Sequence, residues 1–144
     1  MDHLTKSKRS WNMSRIRSKD TCPELILRSS LHRLGYRYRL HQSSLPGKPD
    51  IVLPKYKAVI LVHGCFWHKH LKCKLAATPK SNILFWRKKL DGNVSRDARN
   101  IQLLKASGYL VLIVWECQLS NDKVLKIVRS LDKKLDRRKE RLCR

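Results

Sequence analysis

Acidic residues are scarce in this sequence: 11 Asp plus Glu stand against 33 Lys plus Arg, a formal net charge of +22 over 144 residues. A chain so charged repels itself unless a polyanion neutralises it. Nucleic acid is the commonest such partner, with an anionic membrane surface the weaker alternative. No apolar run reaches the roughly 18 residues that a membrane helix requires. The first 20 residues lack the apolar segment and cleavage site of a secretory signal, so the expectation is a cytoplasmic, nucleoid-associated protein. Five cysteines, at positions 22, 65, 73, 117 and 143, make an odd count. In a reducing compartment they argue against paired disulfides and for metal ligation by the clustered ones. Repeats and low-complexity linkers are absent. The length suits one domain, and 42% hydrophobic residues exclude wholesale disorder. The lack of acids also shortens any search for a catalytic carboxylate.

Residues 1–20 show no sustained periodicity and read as a flexible basic arm; residues 21–144 form the single folded domain. Thr21, Pro23 and Glu24 resemble a helix start with a capping box, followed by an apolar side of Leu25, Leu27, Leu31 and Leu34 up to Gly35. Tyr36, Tyr38 and Leu40 alternate with arginines as in a strand. DIVL at 50–53 and AVILV at 58–62 suit a hairpin. Two helical stretches, Asn82 to Leu90 and Val94 to Ser107, are expected to break near Asp91-Gly92-Asn93. YLVLIVW at 109–115 reads as a fully buried strand, and the segment from Asp122 as an amphipathic helix with a solvated tail. A strand, a helical crossover and a second strand favour parallel neighbours, hence an α/β fold with a mixed sheet.

The loop from His63 to about Ser81 is unusually rich in His, Cys and aromatic residues. Cys65, His70 and Cys73 have the spacing Cys-x4-His-x2-Cys, which favours zinc. Parallel pairing of 58–62 with 109–115 would bring Cys117 beside Cys65 and complete a Cys3His tetrahedron, a structural site. His68 is a competing nitrogen, and Cys117 could instead be a small buried hydrophobe. Asp50, after Pro49 at the head of a strand, is a candidate Mg2+ ligand, although Pro-Asp is also an ordinary turn. An imidazole nearby could take a proton from water while the metal stabilises charge on a phosphate.

LPGKPD at 45–50, HGCFWHKH at 63–70, FW at 85–86 and VLIVWEC at 111–117 together resemble the very-short-patch repair (Vsr) endonuclease family. The resemblance runs from about Trp11 to Cys117. It implies a restriction-endonuclease-like mixed central sheet flanked by helices, and an enzyme that nicks one DNA strand 5′ of the thymine in a T:G mismatch left by 5-methylcytosine deamination. Asp50 then corresponds to the metal-binding aspartate, with the Val62 carbonyl as a second Mg2+ ligand. His68 corresponds to the catalytic histidine, supported by His63, Glu24 and Asp97. Glu24 could equally serve only its capping box, His63 a strand end, and Asp97 a surface pair. Phe66, Trp67 and Trp86 correspond to residues inserted beside the mismatch, and Met13 to insertion from the opposite groove; Trp86 could instead belong to the core. Arg15, Arg17 and Lys19 are expected on phosphates, with Lys48 near the cut. The acid-spacer-lysine motif common in restriction-type sites is missing, since Val62, His63 and Gly64 stand there. Double-stranded mismatched DNA is the implied partner of a monomer, with a functional link to a cytosine-5 methyltransferase. The rivals are a noncatalytic zinc-stabilised DNA-binding module and a restriction or homing nuclease that cuts matched duplex.

Overall fold

Alternating apolar residues along short strands build the sheet and bury both of its faces. The computed structural model describes residues 5–14, 20–120 and 122–144, the side chain of Met13 excepted. Four helices, α1 (Lys6–Ser14), α2 (Cys22–Arg33), α3 (Ile83–Ala106) and α4 (Val124–Leu142), accompany four strands. The strands β1 (Arg39–Leu40), β2 (Ile51–Leu53), β3 (Ala58–His63) and β4 (Leu110–Trp115) lie in that order across one sheet. The β2–β3 pair is antiparallel, joined by a 3-10 turn at Pro54–Tyr56. The β3–β4 pair is parallel, with His63 opposite Trp115 at its carboxyl end.

One face of the sheet, carrying Ile51, Leu53, Ala58, Ile60, Leu112 and Val114, packs on Leu27 and Leu31 of α2 and on Val128, Leu131 and Leu135 of α4. The opposite face, carrying Val52 and Val59, packs on Leu104 of α3. Each fully buried Leu or Ile contributes roughly 1.5–3 kcal/mol through area removed from water. Arg138 of α4 donates from Nε to the Tyr56 carbonyl at 3.2 Å and from Nη2 to that of Gly108 at 2.6 Å. This pins α4 to the amino ends of β3 and β4 and leaves their carboxyl ends clear.

Four sequence expectations need correction. Within the arm read as lacking periodicity, Lys6–Ser14 form α1, and Arg9 Nη1 donates to Ser81 Oγ at 3.1 Å. The strand expected over 36–40 shrinks to two residues, because Tyr36 is instead held by α4: its hydroxyl donates to Asp132. The two helices expected around Asp91-Gly92-Asn93 are one, α3, running unbroken through Gly92. Tertiary anchors outweigh the local cost of glycine, about 1 kcal/mol: Lys69 Nζ pairs with Asp91 at 2.7 Å, and Asn93 Nδ2 donates to the Trp67 carbonyl at 3.1 Å. Finally, β4 is only partly buried, with Ile113 39% exposed, because it is the sheet's edge strand. Positions Arg15, Arg17 and Lys19 and the side chain of Met13 lie outside the described residues.

Candidate functional site

Asp50 directly precedes β2, and the antiparallel register carries its side chain to the carboxyl end of β3, where Oδ2 accepts the Val62 N–H at 2.7 Å. Burial pushes its pKa up to about 6, against the lowering effect of that hydrogen bond; the charge of Glu24 pushes it up further. A carboxylate so desolvated gains most from a cation beside it.

At the end of β3, His63 is buried and its ring stacks face to face on His68, with centroids 3.9 Å apart and planes 4° from parallel. Burial, reinforced by His68, pushes the His63 pKa down to about 4, so the ring is neutral at physiological pH. Between Gly64 and His68 the chain makes a turn, the His68 N–H donating to the Gly64 carbonyl at 3.1 Å. That turn aims His68 at α3, where Nδ1 hydrogen-bonds the carboxylate of Asp97. A carboxylate on one imidazole nitrogen fixes the tautomer and leaves Nε2 as the basic atom. Asp97 is therefore engaged with His68 and not with a surface partner.

Glu24, 3% exposed, does more than cap α2. Its Oε2 accepts the Asp20 N–H at 3.1 Å and Arg28 Nη2 at 2.9 Å, while the Thr21 hydroxyl donates to Oε1 at 3.4 Å. The expected capping box is thus altered: Glu24 reaches the amide of Asp20, and Thr21 makes no side-chain cap.

Glu24, Asp50, Val62, His63, His68 and Asp97 all line one open cleft of about 1450 Å³. His41, Lys89, Asn93, Arg96, Asn100 and Glu116 line it too, and sequence reasoning missed them. Lys89, Asn93, Arg96 and Asn100 recur at helical spacing along one face of α3. That stripe is legible once the helix is known to continue through Gly92.

Beside the cleft, Phe66, Trp67 and Trp86 form a triangle of rings with centroids 5.1, 5.4 and 5.9 Å apart. All three are half-buried and belong to neither core cluster, so Trp86 is not a core residue. Phe85, 59% exposed, packs edge-on against Trp86.

Cys65, His70, Cys73 and Cys117 offer donor atoms that all lie within 4.8 Å of one another. His70 Nδ1 is 3.5 Å from Cys65 Sγ and 3.4 Å from Cys117 Sγ. Bond lengths of ~2.3 Å to sulfur and ~2.0 Å to nitrogen require tetrahedral edges of about this size, so the residues fit a zinc ion. The parallel pairing of β3 and β4 is what carries Cys117 there, and the imidazole facing the thiols is that of His70, while His68 turns to Asp97. Burial pushes the Cys65 thiol up to about 12; backbone hydrogen bonding at Leu75 pulls Cys73 down. Cys22 and Cys143 are exposed and take no part.

Two further groups of three donors lie close together among the described residues, and neither is built for an ion. In the first, the near-parallel rings of His63 and His68 cannot both aim in-plane lone pairs at one point. In the second, Asp20, Glu24 and His41 already surround the Arg28 guanidinium, whose Nη2 is 2.6, 2.9 and 3.1 Å from them. Asp50 belongs to no such group. That isolation suits Mg2+, which binds through one or two carboxylates and completes its shell with water and substrate phosphate.

A family model described as DNA mismatch endonuclease Vsr matches residues 1–75. The DNA mismatch endonuclease Vsr of Escherichia coli is 46% identical over 114 residues, 79% of this chain and 72% of that protein. The chain belongs to the Vsr family. Among other relatives, the type II nicking enzyme V.XorIIP of Xanthomonas oryzae is 47% identical, covering 83% of this chain and 88% of its own. V.NmeAIP of Neisseria meningitidis is 46% identical over 87% of this chain and 89% of its own. The span matched by the family model takes in Glu24, Asp50, His63 and His68 of the cleft and Cys65, His70 and Cys73 of the cluster, and ends before Asp97 and Cys117. No helix among the described residues is long and apolar enough to cross a membrane.

Proposed function

We propose that this protein nicks one strand of duplex DNA on the 5′ side of the thymine in a T:G mismatch, by Mg2+-dependent hydrolysis, in very-short-patch repair. The reading rests on one observation above all: a partly buried carboxylate, Asp50, that belongs to no donor cluster and a carboxylate-bound imidazole, His68, line the same open cleft of a +22 chain. The names of its relatives, mismatch endonuclease and nicking enzymes, support it. So does the layout of the chain, a mixed sheet flanked by helices, which is how a restriction-endonuclease-like fold presents its site.

Asp50, with the Val62 carbonyl, would hold Mg2+. When bound, the ion offsets the negative charge that develops on the phosphate. His68 takes a proton from the attacking water at Nε2, and Asp97 stabilises the imidazolium that forms. Neutral His63 braces the His68 ring by stacking, and Glu24 supplies a further acceptor in the cleft. Water adds to phosphorus and the bond to the 3′ oxygen breaks; that oxygen takes a proton from solvent water, leaving a 5′ phosphate and a 3′ hydroxyl. The exposed edges of Phe66, Trp67 and Trp86 wedge beside the mispair, where stacking is already weakened and insertion costs less. By the same resemblance Met13 would insert from the opposite groove and the basic residues of segment 1–20 would contact phosphates, the chain acting as a monomer in the company of a cytosine-5 methyltransferase. Zinc held by the four donors of the Cys/His cluster would be structural, since no coordination position is left for a substrate.

The test is Mg2+-dependent cutting of labelled duplexes that differ only in T:G, T:A or C:G at one position. Nicking confined to T:G is the expected result. Equal cutting of matched duplex would instead make this a restriction or homing nuclease, and binding without cutting a noncatalytic module.

A further inference from the structure

We infer that Trp115 is a positioning residue: its indole ties the orientation of the catalytic histidine pair to the Cys3His cluster. The inference rests on the proposed role of His68. Trp115 is the last residue of β4 and sits level with His63 across the parallel ladder. Its ring stacks on His70, a member of the cluster, with centroids 4.1 Å apart and planes 7° from parallel. On another side it meets His63 edge-on, at 5.1 Å and 76°. His63 in turn stacks on His68. Four rings therefore run without a gap from the cluster to the proposed base, and Asp97 holds the far end through His68 Nδ1.

The reason this matters lies at His63. Among the described residues no side chain hydrogen-bonds its ring, and the rings that meet it are those of Trp115 and His68. An aliphatic residue at 115 would fill the space but impose no ring plane. The backbone that carries the indole is itself fixed. The Trp115 main-chain N–H donates to Gln118 Oε1 at 2.9 Å, and its strand is held along the whole β3 ladder. Two residues on, the same strand end delivers Cys117 to the cluster. An ion gripped by Cys117 and His70 would thus clamp the indole from its backbone and from its face. The cluster would then do more than hold a loop together: it would set where Nε2 of His68 points. A misplacement of about 1 Å in such a group costs roughly 100-fold in rate.

The experiment uses the full zinc-loaded chain with three variants: Trp115→Leu, Trp115→Phe and His70→Cys, the last keeping four zinc donors while removing the ring that Trp115 stacks upon. Bound zinc, affinity for the T:G duplex and the single-turnover nicking rate are measured for each. Trp115→Leu should keep about one zinc and bind within about threefold of the parent while nicking ten- to a hundredfold more slowly, and Trp115→Phe should recover most of that rate. Combining Trp115→Leu with His70→Cys should cost no more than the first change alone, since both break one series of contacts. Parental nicking by Trp115→Leu, losses that multiply in the double variant, or a slow rate explained by lost zinc would each overturn the inference. If Trp115→Leu does not fold, zinc-loaded His70→Cys decides: an unchanged rate overturns the inference and a slowed one sustains it. A parent chain that never nicks T:G duplex marks failure of the functional reading instead, visible before any variant is made.

Discussion

The Cys/His cluster and the Asp50 cleft share one end of the sheet but are built in opposite ways. The cluster draws three of its four donors from a nine-residue stretch, Cys65 to Cys73, and crowds them within 4.8 Å. The cleft takes its groups from α2, the head of β2, the end of β3, the following loop and α3, and spreads them over about 1450 Å³. Crowded soft donors satisfy an ion completely, so nothing remains for a substrate; scattered hard donors leave coordination positions that a phosphate can fill. On the proposed reading, one arrangement serves stability and the other chemistry.

The sharpest way to break that contrast is to remove the ion from the cluster. Cys65 is fully buried, with its thiol pushed up to about 12, so without a cation it stays protonated. The anchoring of the loop to β4 is then lost, together with part of the several kcal/mol that a structural zinc supplies to folding. At about 2–4 °C per kcal/mol for a chain of this size, chelation or Cys65→Ala should lower the melting temperature by roughly 10 °C or more. Calorimetry with parallel elemental analysis checks this. An unchanged melting temperature would mean that the cluster is not structural.

The cleft should show the reverse coupling. Asp50→Asn is expected to reduce nicking on the order of 1000-fold, the scale of several kcal/mol of lost charge stabilisation, while duplex binding persists. The same change should stabilise the fold without added Mg2+. The folded pKa of about 6 lies above the unfolded value of 3.8, so the folded state resists ionisation. That penalty is absent below the unfolded value, grows as pH rises through the folded value, and is complete above it. It amounts to at most ~3 kcal/mol, and the amide does not carry it. Denaturant melts of parent and Asp50→Asn at pH 4 and pH 8 should therefore differ little at the lower pH, with the variant the more stable at the higher. A parent as stable as the variant at pH 8 would show that Asp50 sits in water and not in a desolvated site.

How much of each region could be read from the residues follows from the same contrast. The cluster was legible because Cys-x4-His-x2-Cys is local, and its fourth member followed from strand pairing alone, the parallel ladder of β3 and β4 bringing Cys117 home. Asp50 stood out because so few acids compete with it. By contrast, Arg28 at the centre of Asp20, Glu24 and His41 left no sequence signal, since it is assembled across α2 and the β1–β2 connection. The partnership of His68 with Asp97 was missed in detail because the turn from Gly64 to His68 that aims the ring at α3 leaves no local signal. Reading a break at Gly92 cut α3 in two, and with it the polar stripe of Lys89, Asn93, Arg96 and Asn100 that forms one wall of the cleft.

Gly92 itself offers the smallest and most discriminating measurement. It lies inside α3, and a Cβ added there would meet no atom within 4 Å. Gly92→Ala should therefore stabilise the protein by up to about 1 kcal/mol, because alanine loses less backbone freedom on folding and favours the helix. Gly47 is the control: its φ is +73° and a Cβ would approach Asn100 Nδ2 at 2.8 Å, so Gly47→Ala should destabilise by about 1–2 kcal/mol. Chemical denaturation of both variants separates the two cases by sign. If Gly92→Ala were destabilising instead, α3 would be interrupted in solution, and the wall of the cleft would be assembled from two helices whose joint must be set by the Lys69–Asp91 and Asn93–Trp67 contacts.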